Sequence, residues 1–392
     1  MLVKLLLKQH IGVVAEPIVK EGTKVEKGQL IAVPNGLGAN LHASISGCVK
    51  KVTVEEMVIE GPDLQSEEYV HLNTAQDPLK VIQDAGIVGA GGAGFPTHVK
   101  LKADLHAGYV IANASECEPT LKHNTAWLED NPAMVVQGLK HVLAITGAQK
   151  GLIAIKPKHK RAVIALAKAI RREPKLEIKF LPDLYPAGDE RVIVREILGT
   201  ELAPGELPLK AGAVVCNVET LKNIARAIEQ GRPVISKDLT LGGRLKEAHK
   251  GRAFFDVPLG LPIKELIERC GGLEKPYGEI ALGGAFTGKH GEEDMPVTKT
   301  LGGVSATMPF LQEKRKLGIL ACECGAQKSR LEQIAAGMGA TVAVAENCKR
   351  MEDIGGGRLR CNKPGVCPGQ AESVLALVKG GAEALLIGTC QH

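Results

Sequence analysis

Aromatic residues are scarce: Phe, Trp and Tyr make up 3% of the 392 residues, and only one is a tryptophan. So thin a supply excludes a surface built on stacked bases, and no nucleic-acid partner is expected. No uninterrupted apolar run approaches the ~18 residues of a membrane-spanning helix, so no transmembrane segment is expected. Met1 to Gln9 is a short apolar strand with lysines and lacks a signal-peptide cleavage pattern. A cytoplasmic protein, at most peripheral to a membrane, is expected. No block of one charge sign stands out: the net charge of +5 is dispersed. The densest basic run, Lys156 to Arg172, reads as a solvated helix face. Glycine and cysteine are well supplied, at 46 and 10 residues. In a reducing compartment these cysteines point to metal, redox or burial in preference to disulfides.

The chain reads as an α/β multidomain protein. Residues 1–75 form short strands, Glu16–Gly22, Val25–Ile31 and Ala43–Val49, with turns at Gly22, Gly28 and Gly47. They look like the hairpins of a lipoyl- or biotinyl-type barrel-sandwich hybrid. The hairpin tip, Ala32 to Ala43, contains no lysine to carry a prosthetic group, so the module reads as a cap. Residues 76–230 alternate helices with apolar runs, the pattern of a three-layer, Rossmann-like α/β core with a mainly parallel sheet. Asn131 and Thr220 are expected N-caps, and Gly147 and Gly199 helix stops. Residues 231–312 read as a small β-grasp module. Residues 313–392 read as a compact C-terminal α/β tail carrying Cys322, Cys324, Cys348, Cys361, Cys367 and Cys390.

The densest signal is the run Gly89 to Thr97. Gly89, Gly91, Gly92 and Gly94 strip side chains from a loop, so its N–H groups can face an anion or the edge of a flavin. Phe95 adds a flat apolar face. The spacing departs from the G-x-G-x-x-G fingerprint, and alone it reads equally as a tight turn. Three further segments follow it. Asn113-Ala-Ser-Glu-Cys-Glu-Pro119 ends a strand, where α/β ligand sites gather; Glu116 and Glu118 can accept from ribose, carboxamide or flavin N–H groups, or form a solvated acidic turn. Tyr185-Pro-Ala-Gly-Asp-Glu190 opens a helix, so Asp189 and Glu190 fit its dipole without any ligand. Asn217-Val-Glu-Thr220 opens another, where Asn217 can cap or bind.

These four segments occur in the same order in the NADH-binding flavoprotein subunit of complex I. They resemble still more closely the RnfC subunit of Rnf ferredoxin–NAD oxidoreductases, a likeness that extends over residues 8 to about 310. It takes in Gln9-His-Ile-Gly12, Glu16-Pro-Ile-Val-Lys20 and the β-grasp (SLBB) module. The resemblance implies a complex I flavoprotein-type core that binds FMN through the glycine loop (Gly89, Gly91, Gly92, Gly94) and through Asn217, Glu219 and Thr220. It implies adenine stacking on Phe95, Glu118 near the nicotinamide, and nucleotide contacts from Lys100, Asn113, Glu116, Tyr185, Asp189 and Glu190. The implied chemistry is hydride transfer from NADH to the flavin, so no acid–base triad is required.

The tail departs from RnfC, which ends in C-x-x-C-x-x-C-x-x-x-C-P runs; Cys367-Pro368 is only a fragment of one. Leu359–Asn362 and Gly381–Cys390 are similar to the delta subunit of methyl-viologen-reducing hydrogenase, which binds a two-iron (2Fe-2S) cluster. That resemblance implies ligands among Cys322, Cys324, Cys361 and Cys390, with Cys367 as competitor. Alternatively Cys322 and Cys324, near a helix start at Gln327, are redox thiols activated by the helix N-terminus. Cys48, Cys216 and Cys270 read as small buried hydrophobes. An RnfC-like body joined to such a tail resembles the proline reductase-associated electron transfer family, which implies D-proline reductase, or another reductase or ferredoxin-type acceptor, as partner in a complex. The alternative is a docking or scaffold subunit of a larger electron-transfer complex, without NADH oxidation of its own.

Overall fold

The computed structural model describes residues 1–92 and 94–388. The first unit pairs two small antiparallel sheets. One orders Leu2–Leu6, Glu56–Glu60, Gly47–Val52 and Lys24–Val25; the other orders Ala15–Pro17, Leu30–Pro34 and Leu41–His42. Alternate residues turn inward, as a half-buried strand requires: Val3, Leu5, Val49, Met57 and Ile59 are fully buried. The strands sit a few residues from their expected positions, and bulges between Leu30 and Ala32 and between Val49 and Lys51 shift the pairing register.

The core is a four-stranded, all-parallel sheet in the order Leu176–Phe180, Lys150–Ile155, Tyr109–Asn113, Ala213–Asn217. The three strands Lys150–Ile155, Tyr109–Asn113 and Ala213–Asn217 are apolar on both faces through their centres, which suits a sheet covered twice, while the edge strand Leu176–Phe180 alternates with Glu177 and Lys179. Val110, Ala112, Ile153, Ile155 and Val214 pack against the helices Pro132–Thr146 and Val218–Gln230. Ile111, Leu152, Ala154, Ala213 and Val215 pack against the helix Glu190–Leu198. The chain moves outward from Tyr109–Asn113 through two strands on one side, then returns to place Ala213–Asn217 on the other. Asn113 and Asn217 therefore stand opposite each other at the carboxyl ends of adjacent strands, with the crossovers diverging. This is the topological switch point where open α/β sheets bind ligands.

Helix ends agree with the local chemistry in part. Gly147 and Gly199 close their helices at φ +66° and +69°, where a side chain would strain the backbone. Asn131 occupies the cap position of Pro132–Thr146 but makes no capping hydrogen bond. Thr220 is not a cap: Asn217 takes that role, accepting from Glu219 N, and Thr220 lies inside the helix. Within the basic run Lys156 to Arg172, the helix spans Lys160–Ala169.

Residues 236–306 form a mixed five-stranded sheet ordered Arg252–Pro258, Ser236–Gly243, Gly303–Ala306, Ile280–Leu282, Lys289–Gly291, against which the helix Ile263–Glu268 packs. The tail has a parallel sheet ordered Val342–Asn347, Leu317–Ala321, Ala384–Ile387, the helices Lys328–Gly337 and Ala371–Lys379, and the hairpin Met351–Asp353/Leu359–Cys361.

Buried charge ties these units together. Between the helix Val218–Gln230 and the strand Ser236–Gly243, Lys222 pairs with Asp238 and Lys237 with Glu219, all nearly inaccessible. Removing one partner of such a pair strands the other charge, at a cost of about 3–5 kcal/mol. At the junction of the barrel-sandwich unit, the core and the mixed sheet, buried Lys299 donates to the Asn40 and Gly86 carbonyls, each at 2.7 Å. Burial pulls its amine down to about 7. A neutral amine has two N–H groups for these two carbonyls, whereas the third hydrogen of an ammonium finds no partner there.

Between pH 7 and the ordinary lysine value the unfolded chain holds a proton that the folded chain has released, so the contribution of Lys299 to stability rises with pH across that window. Thermal midpoints of wild type and Lys299→Met, compared from pH 6.5 to 10, are expected to diverge in favour of wild type as pH rises. A constant difference would mean that Lys299 keeps an ordinary amine.

Candidate functional site

A cavity of about 500 Å³ opens at the switch point. Its floor is the glycine loop, closed on itself by Gly89 N to Phe95 O at 3.0 Å and Gly94 N to Gly89 O at 3.1 Å. The loop is pinned to the helix behind it by Ala90 N, which donates to Thr220 Oγ at 3.0 Å in a buried setting. Gly92 adopts φ +100°, a region L side chains rarely enter. A Cβ on Gly91 would lie 3.3 Å from Asn217 Nδ2, so side chains here would press into the cavity wall. Gly89, Gly91, Gly92, Phe95, Lys100, Asn113, Glu116, Glu118, Asp189, Glu190, Asn217 and Thr220 all line this one cavity.

Three expected contacts lie elsewhere. Gly94 faces the domain junction: its Cβ would meet Thr300 Cγ2 at 3.1 Å, and its carbonyl accepts from Ile11 N at 2.9 Å. Glu219 points away from the cavity into the buried charge network, accepting from Asp238 N at 2.8 Å and pairing with Lys237. Its helix position dictates this, because consecutive residues turn by about 100° and cannot share a face with Thr220. Tyr185 sits behind the cavity wall, its ring 4.5 Å from that of Phe286.

Several lining residues already have structural employment. Asp189 caps its helix, accepting from Arg191 N at 2.8 Å and Val192 N at 3.4 Å, and burial raises its carboxyl. Asn113 Nδ2 donates to Gly188 O at 2.9 Å. Lys100 pairs with Glu190 at 3.6 Å. Glu118 accepts from Phe286 N at 2.9 Å, Thr287 N at 3.1 Å and Thr287 Oγ at 2.6 Å, latching the core to the 283–288 loop of the mixed sheet. Glu116 is different. It is half-buried on the cavity wall and accepts from Thr125 N at 3.3 Å, and desolvation pushes its carboxyl up to about 7.

The cavity also holds groups that the sequence motifs do not single out. Ser115 Oγ is buried and has no hydrogen-bond partner, an orphan that a ligand atom would satisfy. Its place between Asn113 and Glu116 is the available signal. His123 is buried, and burial holds its pKa far below the ordinary histidine value. Thr240 Oγ accepts from the Lys122 and His123 N–H groups, so its own hydrogen goes to His123 Nδ1 at 3.1 Å. The neutral ring then carries its proton on Nε2 as a donor. Cys117 lies on the wall, its sulfur accepting from Gly188 N at 3.2 Å, with its thiol pushed up to about 11 by burial.

A second constellation lies just behind this wall. Cys322, Cys324, Cys348 and Cys361 are buried together, with Cys367 at the rim. Their sulfurs are linked in a chain, Cys348 to Cys322 to Cys324 to Cys361. The sulfur contacts push the Cys324 and Cys348 thiols down and the Cys322 and Cys361 thiols up, so the four titrate as an interacting set. The neighbouring sulfurs are the largest cause of these shifts, and the helix expected near Gln327 runs from Lys328 to Gly337 with Gln327 at its cap. Gln370 Nε2 reaches both Cys348 and Cys367 sulfurs at 3.5 Å. Cys348 thus joins Cys322, Cys324 and Cys361, while Cys390 lies outside the described residues. Among the described residues no group of three or more Cys, His, Asp or Glu could hold a metal ion as the side chains stand: the sulfurs form a chain, not a cage. Of the remaining thiols, Cys270 is buried, Cys48 is half-buried, and Cys216 is buried yet also borders the first cavity.

One segment serves both sites. Gly188 to Glu190 line the first cavity, while Tyr185 packs on the Cys322, Cys324 and Cys348 cluster. Arg191 donates to Cys361 O at 2.7 Å and to Glu323 at 3.0 Å, and Arg195 donates to Pro364 O at 2.8 Å.

Comparison with known proteins agrees with this layout. Residues 2–66 match the RnfC barrel sandwich hybrid domain, and residues 82–226 match the Nuo51 FMN-binding domain. The RnfC-type subunit of the Na+-translocating ferredoxin:NAD+ oxidoreductase complex of Acetobacterium woodii is 36% identical over 317 residues, covering 75% of this chain and 70% of that protein. Its counterpart in the proton-translocating ferredoxin:NAD+ oxidoreductase complex of Clostridium ljungdahlii is 33% identical, covering 76% of this chain and 69% of that protein. Cobalamin reductase PduS of Salmonella typhimurium is 40% identical over 241 residues, covering 60% of this chain but only 51% of its own length. No helix among the described residues is long and apolar enough to cross a membrane. The chain is an electron-transfer subunit with an FMN-binding domain, and it belongs to the RnfC subunit family.

Proposed function

We propose that this protein oxidises NADH through FMN held at the switch-point cavity and passes the electrons to the tail's sulfur centre, from which a partner reductase takes them. The observation that carries this reading is the single segment Tyr185–Arg195, whose front lines the nucleotide cavity and whose back packs against four clustered thiols. FMN, when bound, supplies the chemistry that turns a hydride into electrons released singly or in pairs.

The residues present suit that group. Gly91 and Gly92 line the cavity without side chains, so an anion can approach the loop backbone there. Ser115 Oγ and His123 Nε2 are donors seeking acceptors in the cavity. Glu116, titrating near neutrality, holds or releases a proton beside them. Phe95 offers the flat surface for the dinucleotide's adenine. The four buried thiols suit either of two electron carriers. As a relay they cycle between disulfide and dithiol, moving two electrons and two protons; as ligands their donor set is that of a two-iron cluster, for which the sulfur chain must close up. The partner that fits the tail's likeness is D-proline reductase or a comparable reductase.

The first test is an anaerobic absorption spectrum of the FMN-reconstituted protein before and after NADH, with iron assayed on the same sample. Flavin absorption bleached by NADH is the expected result; iron at two per chain would identify a cluster, and its absence a thiol relay. A flavin that NADH leaves oxidised would overturn the reading.

Gly92→Val forces a branched side chain onto φ +100° at the cavity floor. It is expected to lower FMN affinity at least about tenfold, by roughly 1.4 kcal/mol, with the fold retained by circular dichroism. Full flavin content in the purified variant would remove the loop from the site. Cys348→Ser and Cys324→Ser should each stop delivery to the acceptor while NADH still bleaches the flavin, and Cys48→Ser should leave both steps as in wild type. Stopped-flow reduction alongside acceptor turnover separates the two steps; normal turnover in both tail variants would discard the sulfur centre.

A further inference from the structure

The tail reaches into the nucleotide cavity through one side chain. Arg360 belongs to the hairpin strand Leu359–Cys361, next to a thiol of the sulfur centre, yet it lines the switch-point cavity. Its Nη1 donates to Glu323 Oε1 at 2.6 Å, and the side chain is 54% exposed. Among the described residues its guanidinium makes no other hydrogen bond, so most of its donors remain available.

Glu323 is not devoted to Arg360 alone. Its carboxylate also takes Arg191 at 3.0 Å and the Cys361 N–H. Arg191 is held between two carboxylates, Glu323 and, at 3.8 Å, Asp189, so the guanidinium of this wall that keeps donors free is that of Arg360. The rest of the cavity is acidic, with Glu116, Glu118, Asp189 and Glu190. Its other permanent cation among the described lining residues, Lys100, is already paired with Glu190. An anion entering the cavity at its rim therefore finds its open cationic partner in Arg360. A guanidinium fork matches two phosphate oxygens at once, which an ammonium does not.

We propose that Arg360 binds the pyrophosphate of the dinucleotide, so that the tail domain completes the dinucleotide site built on the core. This rests on the NADH reading above. The rim position separates this anion from the phosphate of the flavin, which the glycine loop on the floor is shaped to receive. Because Glu323 stands between Cys322 and Cys324, the cation that meets the dinucleotide is anchored directly to the sulfur centre. Placement of the tail and completion of the nucleotide site are then one event.

The test uses the full chain loaded with FMN, and ADP-ribose as a probe that carries the pyrophosphate without the nicotinamide. Calorimetry gives its affinity, and flavin per chain is measured on the same samples. Arg360→Gln is expected to weaken ADP-ribose binding about tenfold with flavin content unchanged. Arg360→Lys is expected to recover much of the loss, and the affinity of wild type should fall more steeply with added salt than that of Arg360→Gln. Arg360→Gln binding ADP-ribose as wild type does would overturn the proposal. So would loss of flavin with ADP-ribose affinity intact, which would move the anion to the flavin phosphate. Wild type that holds FMN but takes no ADP-ribose would instead overturn the NADH reading itself, and this assignment with it.

Discussion

The parallel pairing of Tyr109–Asn113 with Ala213–Asn217 is the constraint on which the rest depends. Two adjacent strands whose crossovers leave in opposite directions cannot have their carboxyl ends covered by either connection. The crevice is thus a consequence of strand order, and the segments that follow those strands must form its walls. The glycine loop meets the crevice from a third direction, held by the hydrogen bond from Ala90 to Thr220. Everything else positions or closes this opening: Glu118 latches the mixed sheet across one side, and Gly188 to Glu190 close another.

The second organising feature is economy of wall. The Tyr185–Arg195 segment begins as an irregular turn and becomes a helix capped by Asp189. A helix presents different residues to different sides, so its first turn faces the switch-point cavity while Arg191 and Arg195 reach carbonyls beside the thiols. Under the proposed function, electron carriers on either side of this shared segment would need no mobile arm. That agrees with a hairpin tip in the barrel-sandwich unit that lacks a lysine for a prosthetic group. The buried Lys222–Asp238 and Lys237–Glu219 pairs hold the mixed sheet against the same core; breaking either would strand a charge, which makes the arrangement of the units hard to shift.

Much of this is legible along the chain. The alternation of strand and helix, the glycine loop and the acidic turn at Glu116 to Glu118 are local patterns, and the segments they mark line one cavity. Gly147 and Gly199 announce helix ends because only a residue without Cβ takes that conformation freely. The departures share a cause. Asn217, Glu219 and Thr220 look like one unit in the sequence, but a helix sends its successive residues to different faces; Thr220 meets the glycine loop and Glu219 the charge network. Tyr185, adjacent in sequence to the nucleotide wall, lies behind it.

The amino-acid sequence alone determined the covered parallel sheet, the side-chain-free loop and the supply of thiols, because periodicity, glycine placement and composition act over a few residues. Only the tertiary structure decided which thiols meet. Cys348 joins Cys322, Cys324 and Cys361 because a parallel strand pairing brings Asn347 beside Ala321, a relation that no spacing along the chain encodes. It likewise decided that Glu116 titrates near neutrality and that Arg360 of the tail faces the cavity of the core. Burial and charge balance belong to surfaces that come together only when distant segments pack.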